Sequence, residues 1–510
     1  MKKSDNLSLG RRQFLTGLGA TGVVLATPGI SVACESNKVN WDKEAEVVVV
    51  GTGFAGLAAA TEATNNGAKS VIMIEKMGEL GGNSAINGGL FSVPGSPLQK
   101  KSNVSDSPEL MVEDQKKSGR GIANPEILLH IATHAIDAYD MCIKAGVQFN
   151  EQLVHMGGHS APRSHSTANR TGSGITLPLT EQLLKRGVTI QNRTKFLDFV
   201  TSEDGSVQGI KVREGYYFGD ENSGDIKYIR ATRGVIMASG GFSQNIRLRM
   251  SQDPTLTEEL RSTNAPGQTG EGLLAMLKLG ATPVHMSHIQ IGPWASPDEK
   301  GMGYMPLYAV FNFPHSILVD RRTGKRFVNE LADRKIRADA ELSCRDDKGN
   351  PYPPILITSK KSAEGSHHTL DNVLRHNVGW ELENLDAIAK RFDVPLEALQ
   401  QQVEDWNAYV DKGNDEQFGK PMNMVKGQKL EAPFIVVRLW PKVHYCQGGA
   451  QVNKYGEVLS ADTGMPISGL YAAGEVTGGI HGVSRLGSTS ITETLVMGMT
   501  AGRTVMKNTA

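Results

Sequence analysis

Val47-Val48-Val49-Val50-Gly51-Thr52-Gly53-Phe54-Ala55-Gly56-Leu57 is followed by an alanine-rich run to Ala63 and then by Val71-Ile72-Met73-Ile74-Glu75. Four consecutive β-branched residues predict a strand buried on both faces, and the glycines after them predict a tight turn into a helix. Such a turn is a seat for a pyrophosphate. Gly51 permits the turn, Gly53 lets the anion approach bare backbone, and the helix starting near Phe54 aims free amides and its positive dipole end at the charge. Glu75 ends the second strand as an acceptor for a ribose hydroxyl, a place a 2′-phosphate would not tolerate. Strand, turn, helix, strand and terminal acid in register predict a bound dinucleotide.

Outward from this unit the chain has an ordinary composition. Its 510 residues carry 54 Lys+Arg against 54 Asp+Glu, so charge provides no reason to expect nucleic acid or a membrane surface as partner. The length suffices for two or three domains with real cores. Lys2, Lys3 and Arg11-Arg12-Gln13-Phe14-Leu15 precede a short apolar run, Leu18 to Ile30, that ends Ser31-Val32-Ala33. Residues 1–33 are therefore read as a twin-arginine export signal, which places the mature protein in the periplasm with Cys34 at its start, where lipidation is conceivable. The four cysteines, Cys34, Cys142, Cys344 and Cys446, show no haem or iron-sulfur spacing. A redox protein so built must receive its electrons from another molecule.

Further along, Gly81-Gly82-Asn83-Ser84-Ala85-Ile86-Asn87-Gly88-Gly89 is a loop of small and amide-bearing residues suited to a flat ring system. His155, His159 and His165 cluster in sequence, but with no zinc-like spacing and no Cys or acid among them; the segment is read as a loop near the active site, and no metal is expected. Helices are predicted over Leu177–Arg186, Leu273–Leu279 and Ile491–Met506, strands over Val188–Gln191, from Arg233 to the paired glycines Gly240-Gly241 and from Ile467 into Gly474-Glu475, and a hairpin around Asp204-Gly205. Asp393-Val394-Pro395 is read as the capped start of a helix whose Leu396, Leu399, Val403, Trp406 and Val410 form one apolar face.

The opening unit, Gly81-Gly82-Asn83-Ser84, Ala238-Ser239-Gly240-Gly241-Phe242, Thr269-Gly270-Glu271-Gly272 and Ala472-Ala473-Gly474-Glu475 occur in the order found in the flavoprotein subunits of fumarate reductase and succinate dehydrogenase. Gly478-Gly479-Ile480-His481-Gly482-Val483-Ser484-Arg485-Leu486-Gly487 further resembles the soluble periplasmic flavocytochrome c-type fumarate reductases and their urocanate- and acrylate-reducing relatives. The resemblance implies an α/β fold: a Rossmann-like FAD-binding domain in two parts, 42–291 and 433–510, interrupted by an α+β capping domain over 292–432. It implies FAD held without a covalent link, because the loop at Asn83 lacks the histidine used by membrane-bound relatives. Gly51, Gly53, Phe54, Ala55, Gly56, Glu75 and Lys76 correspond to the ADP-binding part. Asn83, Ser84, Gly88, Gly89, Gly240, Gly241, Glu271, Tyr445, Glu475, Ser490 and Ile491 correspond to the rest of the FAD site. The same resemblance assigns Arg334 as proton donor, Arg485 as clamp for a substrate carboxylate and His444 as a carboxylate-binding or polarising group. The implied reaction is reduction of an activated C=C bond in an unsaturated carboxylate, with electrons from a multihaem cytochrome c or a quinol oxidase.

Three departures argue against fumarate itself. Gly292 and Trp294 stand where fumarate reducers carry the His and Thr that hold a second carboxylate, which predicts a monocarboxylate with a bulky, flat β substituent, such as an aryl acrylate or a urocanate-like molecule. Tyr308-Ala309-Val310-Phe311-Asn312-Phe313-Pro314 lacks the charges of the family proton relay, so the supply to Arg334 must take another path or come from solvent. Cys446-Gln447 replaces the usual Thr-Met. A ketosteroid-type dehydrogenase shares the fold and would use tyrosines, for which Tyr304, Tyr308 and Trp294 are the candidates; fumarate reduction is the other alternative.

Overall fold

In the computed structural model, which describes residues 39–366 and 369–508, the opening valines lie inside the main sheet. The expected export segment and Cys34 fall outside these residues. Lys43–Val50 pairs in parallel with Val71–Ile74 on one side and with the second half of Asp225–Met237 on the other. Val47, Val48 and Val49 are fully buried, as expected of a parallel strand with both faces covered. Thr189–Gln191 extends the sheet past Val71–Ile74, and Pro466–Ala472 extends it past Asp225–Met237, both in parallel. Thr194–Thr201 and Val207–Glu214 form the hairpin around Asp204-Gly205, and the latter strand pairs antiparallel with the first half of Asp225–Met237. The longest strand thus changes from antiparallel to parallel partners midway.

The helix Phe54–Asn65 packs along the closing helix Thr489–Lys507. Both begin beside one cavity, lined by Gly53 and Phe54 from the first and by Ser490 and Ile491 from the second.

A second, wholly antiparallel sheet is built from the insertion, in the order Lys325–Arg326, Ile317–Asp320, Ile355–Ser359, Phe434–Arg438, Gly379–Leu382. The sequence reading ended the insertion at residue 432. Phe434–Arg438 instead lies between two strands of the inserted sheet, where its Ile435-Val436-Val437 run satisfies its backbone on both edges, so the return to the first domain comes after Leu439. A second correction concerns Asp393. Leu396–Lys412 buries Leu399, Val403, Trp406 and Val410 as its periodicity predicts, but Pro395 stands at its N-cap. Asp393 terminates the preceding helix, Leu385–Phe392, in the left-handed conformation with φ of 57°. With so short a link between helices, the residue that must reverse the chain is one that tolerates that conformation.

Between the two sheets runs a two-stranded ribbon, Ile289–Gly292 against Lys442–Cys446. Its register pairs Gln290 with Tyr445 and Ile291 with Val443, so His444 is the extra residue of a bulge. Bulges of this kind bend a strand and re-aim a side chain.

Candidate active site

The cradle predicted from the opening unit is present. Gly51 has φ of 109°, and a Cβ there would lie 2.3 Å from the Ala238 carbonyl oxygen, so no other residue fits. A Cβ on Gly56 would lie 2.0 Å from the Gly51 oxygen; Gly56 does not line the cavity but lets the helix close down on the strand. Neither N-cap, Gly53 or Ser488, makes a side-chain cap bond, which leaves amides of two helices for an anion. The amide of Phe54 is already taken, since it donates to Ser84 Oγ at 2.9 Å. Glu75 is oriented by Thr52 Oγ1 at 2.9 Å and by the Met77 N–H at 3.0 Å. Lys76 bridges to Glu271 at 2.8 Å, tying the second strand to the helix Glu271–Lys278. Ala55, Asn83, Gly240, Tyr445, Glu475, Ser490 and Ile491 line the same cavity. The residues present therefore fit an FAD.

Three glycines do other work. Gly241 makes room for Glu475, whose carboxylate a Cβ would meet at 2.5 Å. Gly88 backs onto Leu307, and Gly89, at φ of 62°, is pressed against Thr167 and Thr171. None of the three is among the residues lining the cavity.

The residues expected to face a substrate converge where ribbon, insertion and closing loop meet. Arg485 is 3 % exposed and reaches His444 Nε2 with Nη2 at 3.2 Å. A guanidinium only donates, so Nε2 accepts; the imidazole proton sits on Nδ1 and is donated to Thr263 Oγ1 at 2.8 Å. Burial, with Arg485 and Arg334 nearby, holds His444 well below its ordinary pKa, so it is neutral. Arg334 begins the helix Arg334–Leu342 and donates from Nη1 to Gln290 Oε1 at 2.9 Å. Burial first, then repulsion from Arg485 and Arg337, pushes its pKa well down. That is the environment in which an arginine gives up a proton most readily.

Trp294 is 3 % exposed, edge-on to His444 with ring centroids 4.5 Å apart, and 5.6 Å from the Arg334 guanidinium carbon. A Cβ on Gly292 would lie 2.7 Å from the indole, so Gly292 is the space the indole occupies. The sequence reading took the indole as a face for a bulky substituent; in the structure it packs edge-on to His444, over Gly292, and lines a cavity beside Arg334. The tyrosines of the ketosteroid alternative lie elsewhere. Tyr308 is fully buried in the core of the insertion, and Tyr304, 44 % exposed, stacks on His376.

Sequence reasoning missed Gln290 as a site residue. Its Nε2 donates to the Arg485 carbonyl at 3.0 Å and to Ser484 Oγ at 3.1 Å while its Oε1 holds Arg334, so one amide joins both arginines. A buried amide between Ile289 and Ile291 was the available signal. Thr263 carried none, being 181 residues from its partner His444. Glu493 was also missed. It accepts from the Tyr445 hydroxyl at 3.3 Å, the Arg485 guanidinium lies 4.6 Å from the Tyr445 ring, and burial raises the carboxyls of Glu475 and Glu493 to about 7 and about 8. The three sequence-clustered histidines separate: His165 meets Ser96, His155 bonds the His159 carbonyl, and His159 reaches the Gly487 carbonyl. Among the described residues no group of three or more His, Cys, Asp or Glu side chains converges. A second cavity of about 280 Å³ adjoins Arg334 and is also lined by Trp294, Arg337, Asp333 and the exposed Lys117.

The family model for an FAD-binding domain matches residues 46–491. The chain is 57% identical over 500 residues to the acrylate reductase flavoprotein subunit of Shewanella woodyi, covering 98% of this chain and 99% of that one. It is 33% identical over 467 residues to a fumarate reductase (cytochrome) of Shewanella frigidimarina, covering 91% of this chain and 77% of the relative. Among solved structures it superposes on the open conformation of a flavocytochrome c3 fumarate reductase with a TM-score of 0.73 and 27% identity, over 92% of this chain and 79% of that one.

Proposed function

Since the chain belongs to the FAD-binding domain family, with the match spanning residues 46–491, we propose that it is an FAD-dependent reductase of the C=C bond of a small α,β-unsaturated monocarboxylate such as acrylate. The observation that carries the reading is that Gln290 joins the half-buried Arg334 guanidinium to the carbonyl of the buried Arg485, with Trp294 packed over Gly292 beside them.

The cavity lined by Gly51, Gly53, Glu75 and Glu475 would hold FAD without a covalent link, and the group would supply hydride chemistry there. The chain supplies everything else. Arg485 takes the substrate carboxylate with its planar fork, a geometry suited to two oxygens. Its present acceptors are the Leu486 carbonyl and neutral His444; the imidazole supports the guanidinium and stays uncharged, so the positive field at the carboxylate comes from the arginines. Charge developing on the α carbon and carboxylate is stabilised by both guanidinium groups, and Arg334 transfers its proton to the α carbon. The cavity that runs from Arg334 toward Lys117 supports resupply of that proton from solvent, which removes the need for the uncharged segment Tyr308–Pro314 to carry it.

We also propose export by the twin-arginine route to the periplasm, supported by Arg11-Arg12-Gln13-Phe14-Leu15, and electron supply by a separate carrier such as a multihaem cytochrome c or a quinol oxidase. The relative from S. woodyi is likewise a flavoprotein subunit.

The test is anaerobic oxidation of a reduced viologen dye by purified protein with acrylate, cinnamate, urocanate, fumarate and a cyclic enone. Acrylate is expected to be fastest. Fastest turnover with the enone would refute the reading, and fastest turnover with fumarate would refute the choice of a monocarboxylate.

A further inference from the structure

The closing loop that carries Arg485 is held at four successive carbonyls. Ser118 Oγ donates to the Ser484 oxygen at 2.7 Å, Gln290 Nε2 to that of Arg485 at 3.0 Å, Thr489 Oγ1 to that of Leu486 at 2.9 Å, and His159 Nε2 to that of Gly487 at 2.8 Å. The last of these differs in kind, because His159 is the end of a buried charged chain. Arg163, 0 % exposed, gives Nε and Nη2 to Asp106 at 2.9 and 2.8 Å and Nη1 to Asp114 at 2.6 Å. The same Nη1 lies 3.2 Å from His159 Nδ1. A guanidinium has no lone pair to accept with, so Nδ1 must be the acceptor and the single ring proton must sit on Nε2, facing an oxygen that only accepts. The tautomer follows from the partners alone, and a second proton on the ring would face a guanidinium.

What this fixed donor holds is the wall between the two substrate arginines. A Cβ on Gly487 would lie 3.4 Å from Arg334 Nη2 and 2.9 Å from Met156 Cε, so the Gly487 backbone is packed directly against the proposed proton donor. The next residue, Ser488, sits at φ of 60°, with Oγ 2.6 Å from the hydroxyls of Ser92 and Ser164. Without His159 the Gly487 oxygen keeps only the local bond from Ser488 Oγ at 2.6 Å, and the tie between the Gly487 peptide and the Arg163 cluster that fixes the separation of Arg485 from Arg334 is lost. We propose that His159 is a positioning residue which, through the tautomer imposed by Arg163, pins Gly487 and so sets the spacing of Arg485 and Arg334 for a substrate carboxylate and its α carbon. This rests on the reading of those arginines given under the proposed function.

The experiment compares His159→Leu with His159→Gln, whose Nε2 can still reach the Gly487 oxygen. Flavin content, the flavin absorption change on titration with propanoate, and kcat and KM are measured, the last two on whichever unsaturated carboxylate the wild-type chain reduces fastest. H159L is expected to keep its flavin, to bind propanoate about tenfold more weakly, as the loss of one buried hydrogen bond implies, and to lose kcat as well; H159Q is expected to recover most of both. Wild-type binding and kinetics in H159L overturn the proposal, and so does equal loss of flavin in both variants, which would make His159 a folding residue. A wild-type chain that reduces none of the carboxylates removes the underlying reading and the inference together, whereas one that prefers fumarate over acrylate corrects only the substrate.

Discussion

The cofactor cradle and the substrate pocket lie within one cavity wall of each other and are made in opposite ways. Most of the cradle is backbone: a turn at Gly51, two helix N-termini and a carboxylate at the end of a strand, with the core of the phosphate seat spanning Val47 to Glu75. The pocket is side chains from distant segments, Gln290 and His444 on a ribbon, Arg334 on a helix of the insertion, Arg485 on the closing loop, with Thr263 and His159 behind them. Backbone devices tolerate one residue type per position and fail completely when changed. Side-chain devices fail by degrees, according to the bond removed.

The sharpest contrast should come from Gly51→Val. Its branched side chain meets the Ala238 carbonyl at a backbone angle that disfavours it, so the expected product is colourless protein with no activity, read from absorbance at the flavin bands. Arg334→Ala should stay yellow and lose on the order of 10³–10⁴-fold in kcat, the range for removing a positioned proton donor. A colourless R334A would mean that the two regions are not separable. Arg485→Lys keeps the charge and loses the fork, and should raise KM for acrylate by about 10–100-fold with a smaller change in kcat. Trp294→Ala empties the space beside His444 and Gly292. It should shift the ratio of kcat/KM for cinnamate over acrylate by roughly 10–100-fold toward the larger acid, the span that apolar contacts of this size control. An unchanged ratio would show that the indole does not set substrate size.

The smallest expected effect is one of pH. Glu493 is held protonated up to about 8 and Glu475 to about 7, against 4.5 for an ordinary glutamic acid, with burial as the main cause in both. The native chain therefore binds more protons than the unfolded one across that interval. The favourable contribution of the protonated carboxyls is complete below pH 4.5 and is lost as pH rises toward 8. Glu493→Gln removes one such group. Its melting temperature should fall less steeply between pH 5 and 8 than that of the parent, by at most roughly 1.4 kcal/mol per pH unit in stability. Parallel curves would place the Glu493 proton elsewhere.

Much of the fold was legible beforehand because it depends on local rules. The valine run, the hairpin at Asp204-Gly205 and the apolar face of Leu396–Lys412 each obey a periodicity that the folded chain keeps. Misreadings came where a residue serves two neighbours at once. Asp393 looks like the start of one helix and closes another, and Phe434–Arg438 looks like a return to the first domain but completes the inserted sheet. At the site, the family resemblance singled out Arg334, His444 and Arg485, which the folded chain brings together. Gln290, Thr263 and Glu493 were not legible, since each matters only through a partner far along the chain.

From the order of its residues alone, this chain determines a nucleotide-binding turn, the strands around it and a set of arginines, because strand periodicity and turn sterics act over a few neighbours. Which nitrogen of His444 and His159 holds the proton, how Trp294 packs over Gly292, and how Gln290 comes to bridge the Arg334 guanidinium and the Arg485 carbonyl were decided only by folding. Those outcomes depend on which donors and acceptors meet across hundreds of residues, and no local rule specifies that meeting.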